Sequence, residues 1–278
     1  MSESNKRNFI VHGSILAIAG ILVRIIGMLY RIPVVNIIGS EGNGIYGAAF
    51  NIYNIMLVLS SYGLPMAVSK LVSARFTKRR YKSAAKVLRC SLMVAVCTGG
   101  IAALLVFFGA SFIENVIYGG GLPGLAIPLR ILAPTIFLVA ILGVIRGFFQ
   151  GQSTMIPTAV SQILEQIVNA IVSIAAGYGM MKAFASSPDV AAYGAAGSTL
   201  GTAMGALTAV LFMGFLYAVY TPTFNRLKRK DRHTENQSTG QICKIIIYTM
   251  IPIILGQTFY QISALIDDVM FSNIMVGR

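Results

Sequence analysis

Long apolar runs alternate with short polar connections along this 278-residue chain. A helix needs about 20 mostly apolar residues to cross the hydrocarbon core of a bilayer. Seven runs qualify: roughly Phe9–Tyr30, Ile45–Val72, Val87–Phe108, Leu125–Phe149, Ile156–Met181, Gly194–Tyr220 and Ile245–Phe271. The pattern predicts an all-α, polytopic membrane protein. Arg31-Ile32-Pro33 closes the first span, and the glycine-rich stretch from Gly39 to Gly44 reads as a tight external turn. Gly63-Leu64-Pro65 interrupts the second span, where the proline removes a backbone donor and clashes with the preceding turn, so a kink is expected. The run from Gly119 to Gly124 and residues 182–193 read as further external loops.

Gly197, Gly201 and Gly205 recur every four residues in the sixth span, a spacing that lets two helices approach closely. Pro128, Pro134, Pro157 and Pro252 lie within spans and imply bent helices. Such helices are common in transporters, whose halves must rock, and also occur in static membrane proteins. The longest polar stretch starts at Thr221. It divides the chain into a bundle over 1–222, a basic connection over 223–244, and a seventh span over 245–278 that would begin a second bundle.

Composition narrows the class. A hydrophobic share of 56%, a mean hydropathy of +0.75 and only 11% charged residues exclude an ordinary soluble domain. The net charge of +13 is concentrated in two places. Arg75, Lys78, Arg79, Arg80, Lys82, Lys86 and Arg89 lie between spans two and three; Arg226, Lys228, Arg229, Lys230, Arg232 and Lys244 lie between six and seven. The positive-inside rule then puts the N-terminus and every even-numbered connection in the cytoplasm, with Arg146 near the fourth. Insertion topology accounts for the basic excess. No nucleic-acid motif accompanies it, so the partners expected of these loops are anionic membrane lipids. Cys90, Cys97 and Cys243 lack metal-site spacing and read as free thiols. The first apolar run is of full length and lacks a cleavage signature, so it reads as a retained helix.

Ionisable groups inside spans cost about 2.5–3.5 kcal/mol at a helix centre, so they must face protein or water and are functional candidates. Arg24 lies deep in the first span, and Arg31 follows two turns later near the same face. Their guanidinium forks suit phosphate. Arg31 is equally placed to snorkel to the outer headgroups, and Arg24 to pair with Glu165, Asp267 or Asp268. Asn51 and Asn54 add polar positions to the second span. In the fifth, Gln162, Glu165, Gln166, Asn169 and Ser173 form one polar stripe, read as the wall of a wet cavity or as inter-helix glue. Asp267 and Asp268 in the seventh are able to accept a proton, ligate Na⁺, or balance an arginine. No nucleophile–base pair, zinc pattern or phosphate loop suggests an enzyme. His12 and His233 stand far apart without partners.

Several stretches together carry a family resemblance: Arg24-Ile25-Ile26-Gly27, Tyr30-Arg31-Ile32-Pro33, Ile38-Gly39-Ser40-Glu41-Gly42, and Ser60-Ser61-Tyr62-Gly63-Leu64-Pro65 with Val68-Ser69-Lys70-Leu71-Val72-Ser73. Further on come Arg146-Gly147-Phe148-Phe149-Gln150-Gly151, Ile156-Pro157-Thr158-Ala159-Val160-Ser161-Gln162 with Glu165-Gln166, and Gln261-Ile262-Ser263-Ala264-Leu265-Ile266-Asp267. From about residue 10 to the end, the chain resembles the polysaccharide-type flippases of the multidrug, oligosaccharidyl-lipid and polysaccharide (MOP) exporter superfamily, in the branch of Gram-positive stage V sporulation protein B and MurJ-like lipid II flippases. The resemblance implies a fourteen-helix fold of two bundles around a cationic cavity, alternating access, and transport of undecaprenyl-diphosphate-linked sugars across the bacterial cell membrane. It implies that Arg24 is required, with Arg31 as a second, slightly offset arginine. It also implies that Asp267 holds a coupling Na⁺, with no other cofactor. On this reading the chain ends after the seventh span, and a second half or a partner chain completes the cavity. The alternatives are a cation-coupled drug exporter of the same superfamily and a non-transporting envelope or sporulation scaffold.

Overall fold

The computed structural model describes residues 3–232 and 238–276, with side chains described for 14–232, 238–259, 266, 269 and 270. The elements are α1 (Glu3–Ser60), α2 (Leu64–Thr77), α3 (Tyr81–Phe112) ending in a π-helical turn (Ile113–Ile117), α4 (Ala126–Gly151), α5 (Ile156–Ala183), α6 (Val190–Lys230) and α7 (Thr239–Val276). The chain is a helical bundle, and no strand occurs among the described residues.

Predicted span one and the first part of span two form one element, α1, and the rest of span two is α2. Ser14–Thr77 is an apolar stretch of 64 residues, and even its part within α1 is, at 1.5 Å per residue, far too long for a single crossing of about 30 Å. The reversal falls on Gly39, the one non-helical residue inside α1, at φ 72° and ψ −175°. A side chain is strained in that left-handed region, and glycine is not. Fifteen helical residues separate Arg31 from Tyr46 and would put them about 22 Å apart on a straight helix. Instead the Arg31 guanidinium lies 5.7 Å from the centre of the Tyr46 ring, so the chain folds back. The turn expected from Gly39 to Gly44 is therefore a single-residue hinge, and the helix runs through Pro33 rather than ending there.

The kink expected at Gly63-Leu64-Pro65 is present as a break at residues 61–63, with Pro65 in the first turn of α2, where its missing N–H costs nothing. The glycine loop 119–124 is also present. Gly119, Gly120 and Gly124 take positive φ, and both oxygens of Glu114 accept backbone N–H groups, from Gly124 at 3.0 Å and Ala126 at 2.7 Å. The carboxylate thereby caps α4.

Two expectations about the basic loops need correction. The polar stretch from Thr221 is helical to Lys230, because Phe224 is buried and stacked on Phe76 at 6.1 Å and edge-on to Phe148 at 5.3 Å. Likewise Lys82, Lys86 and Arg89 lie on the opening turns of α3, not in a loop before it. Both basic stretches meet at one end of the bundle, where Arg79, Lys230 and Arg232 line a common cleft.

Close packing comes from glycine on two seams. Gly197, Gly201 and Gly205 of α6 lie against the backbone of α5; a Cβ on Gly205 would come within 2.6 Å of the Glu165 carbonyl oxygen. A second four-residue series, Gly143, Gly147 and Gly151 of α4, receives Pro65, Val68 and Val72 of α2 in the same manner. These seams fix α4 and α5, which carry the polar site.

Candidate functional site

A cavity of about 300 Å³ opens where α1 ends and α2 begins, against α4 and α5. Its polar wall is Arg146 and Gln150 of α4 with Thr158 and Gln162 of α5; Tyr62 and Met66 stand exposed at its rim. The α4–α5 hairpin brings Arg146 beside the fifth helix. There its guanidinium donates to Glu165 Oε2 at 2.8 Å and to Ser161 Oγ at 2.9 Å. The pair is mostly enclosed, with Arg146 14% and Glu165 26% exposed. Two opposite charges in apolar surroundings neutralise one another, and Ser161 fills a further donor of the guanidinium.

The polar stripe of α5 thus splits into separate roles. Gln162 lines the cavity. Glu165 is committed to Arg146 rather than to Arg24. Gln166 lies against Gly27 of α1, within 3.1 Å of the position a Cβ would take. Asn169, expected on a wet wall, is buried instead. Its amide donates to the Tyr30 hydroxyl at 3.3 Å, and its oxygen accepts from Ser173 at 2.9 Å and Thr202 at 3.4 Å. Ser173 is buried in the α5–α6 seam. This later part of the stripe is inter-helix glue: Asn169 and Ser173 bond to each other, to Tyr30 of α1 and to Ser198 and Thr202 of α6.

Contacts Gly27–Gln166 and Tyr30–Asn169 are both 139 residues apart, so α1 and α5 run alongside in the same direction. That register sets Arg24 level with Gln162 and Ile163. Neither Arg24 nor Arg31 lines the cavity. Arg24 is exposed and has no hydrogen bond or ion pair among the described residues. Arg31 is also exposed, held over Tyr46, which shares a side-chain hydrogen bond with Tyr30. Asn51 is half-buried in the returning arm of α1, away from the cavity wall. Asp267 and Asp268 lie on α7, but their side chains are outside the described residues. His12 and His233 are outside them as well.

Sequence reasoning missed Arg146 as a site residue. It counted this arginine as a loop charge, although the predicted span ran on to Phe149. An arginine shortly before a connection and a glutamate shortly after it are what a helical hairpin juxtaposes, and that signal was available.

A protein-family model described as "Polysaccharide biosynthesis protein" matches residues 10–277. The chain belongs to this family. Among curated members, the lipid II flippase MurJ of Bacillus subtilis (strain 168) is 34% identical over 176 residues, covering 61% of this chain and 32% of MurJ. Stage V sporulation protein B of the same organism is 30% identical over 210 residues, covering 75% of this chain and 39% of its own. The chain thus spans no more than about half the length of the curated relatives it matches. Its fold is similar to about half of a solved transporter of the MOP superfamily. An outward-facing multidrug resistance MATE family transporter superimposes with a TM-score of 0.67 at 18% identity, over 88% of this chain and 52% of that one. This member of the polysaccharide biosynthesis family is accordingly a multi-pass helical membrane protein.

Proposed function

We propose that this chain supplies half of a flippase that carries undecaprenyl-diphosphate-linked cell-wall oligosaccharide, a lipid II-like precursor, across the bacterial cell membrane by alternating access. The observation that carries the reading is an exposed arginine, Arg24, without an ion pair among the described residues and level with the cavity-lining Gln162, while the arginine that lines the cavity, Arg146, is paired with Glu165. A guanidinium at membrane depth with no counter-charge among the described residues suits a mobile anion, and a diphosphate matches its donor fork. Arg31 extends the cationic track one direction along α1, and Gln162 offers amide groups to sugar hydroxyls. The names of the relatives, a lipid II flippase and a sporulation protein, support the substrate class. In this reading the basic end of the bundle faces the cytoplasm, and Asp267 with Asp268 couples the cycle to Na⁺ or H⁺.

A drug-exporter reading is less well supported. Cationic drugs call for free carboxylates, and among the described residues the carboxylate nearest this cavity's arginine, Glu165, is held by Arg146. The test uses the complete transporter, with its second half, in cells depleted of other flippases. Arg24→Ala is expected to abolish outward appearance of the lipid-linked precursor at unchanged expression. Undiminished translocation would remove the diphosphate role, and translocation absent from the wild type would favour a scaffold.

A further inference from the structure

We propose that the groove between the start of α3, the end of α6 and the start of α7 binds the headgroup of an anionic phospholipid. The groove measures about 520 Å³ and gathers Lys82, Lys86 and Arg89 from α3 with Lys228 from α6. A neighbouring cleft of the same volume shares Lys82 and Lys228 and adds Arg229. Insertion topology explains why this end of the bundle is basic. It does not explain why two helices distant in sequence are pinned together so that their cations face one space.

The pin is Asp231, which is buried and accepts the Lys82 backbone N–H at 2.8 Å, capping α3 from the far end of α6. Lys228 is held in turn over the Phe224 ring at 5.2 Å, and Phe224 is locked in the aromatic core. Like charges in one cleft repel, and an anion between them relieves the repulsion. Below the cations the same face of α3 turns apolar. Met93 lines the groove and is 58% exposed, followed one turn on by exposed Val96 and later by exposed Leu104. A cationic cleft running into an apolar stripe along a membrane helix fits a molecule with an anionic head and a hydrocarbon tail, not a soluble phosphate. Because Thr239 of α7 also lines the groove, and Cys90 Sγ reaches its carbonyl at 3.8 Å, an occupied site braces the docking of α7 on the bundle.

Native mass spectrometry of the 278-residue chain tests this, with phosphatidylglycerol and phosphatidylcholine of identical acyl chains as probes and inorganic phosphate as competitor. Phosphatidylglycerol is expected to be retained about tenfold more than phosphatidylcholine, a difference of about 1.4 kcal/mol. Lys82→Gln combined with Lys228→Gln should erase the preference, since neither change removes the backbone N–H that Asp231 holds. Arg89→Gln alone should reduce it, which keeps the test open if the double variant misfolds. Lys70→Gln, an exposed cation on α2 outside the groove, should leave it intact. Equal retention of the two lipids, a preference surviving in the groove variants, or full displacement by inorganic phosphate would overturn the proposal.

Discussion

Arg146 on α4 and Glu165 on α5 form a direct ion pair at 2.8 Å, closed on one side by Ser161. Neither residue is free to act alone. Any anion drawn to Arg146 has to compete with Glu165 for the guanidinium. Breaking an enclosed pair by removing one partner costs about 3–5 kcal/mol, because it strands the other charge.

From that follows a comparison of four variants. Arg146→Ala and Glu165→Ala should each lower thermal stability in detergent, while the exchange Arg146→Glu with Glu165→Arg should recover most of the loss. If the cavity serves anions, Glu165→Gln should tighten binding of a diphosphate lipid about tenfold, read by titration in micelles. Unchanged affinity in that variant would argue that the pair is only a structural tie.

Arg24 lacks a partner among the described residues, so Arg24→Ala should leave thermal stability within about 0.5 kcal/mol of wild type. Its expected effect is confined to transport by the complete protein. A large loss of stability would show that the residue is structural after all.

The α5–α6 seam has no room for a side chain. Gly205→Val should destabilise by about 1–3 kcal/mol or more through overpacking, seen as a lower unfolding temperature and a broadened gel-filtration peak. Gly214→Ala on the same helix, where a Cβ meets nothing within 4 Å, should be neutral or slightly stabilising.

Phe224→Ala should cost about 3–5 kcal/mol, since the ring is buried among Phe76, Phe148 and Tyr220. Losing that anchor should also free the end of α6. Limited trypsin digestion should then cut after Lys228 and Arg229 sooner than in wild type.

The sequence made the spans legible because apolar length is a sufficient signal for crossing a bilayer. It also located the break before Pro65 and the glycine seam of α6, both of which rest on local backbone chemistry. Less legible were features set by tertiary contact. The helical end of α6 depends on Phe224 meeting Phe76 from α2 and Phe148 from α4, which no local pattern announces. Polarity along α5 suggested one continuous wet wall, but only the approach of α6 decides that Asn169 is dry while Gln162 borders space. Arg24 and Arg31 were recognised as unusual, whereas Arg146 was hidden by its closeness to a loop.

At Gly39 two membrane crossings are joined without a loop. Such a joint has no slack: the angle between the arm bearing Arg24 and the arm bearing Tyr46 and Asn51 is set by the two torsions of one glycine. Any residue with a side chain at this position would be strained in that backbone conformation, so the corner of the bundle depends on a single missing Cβ.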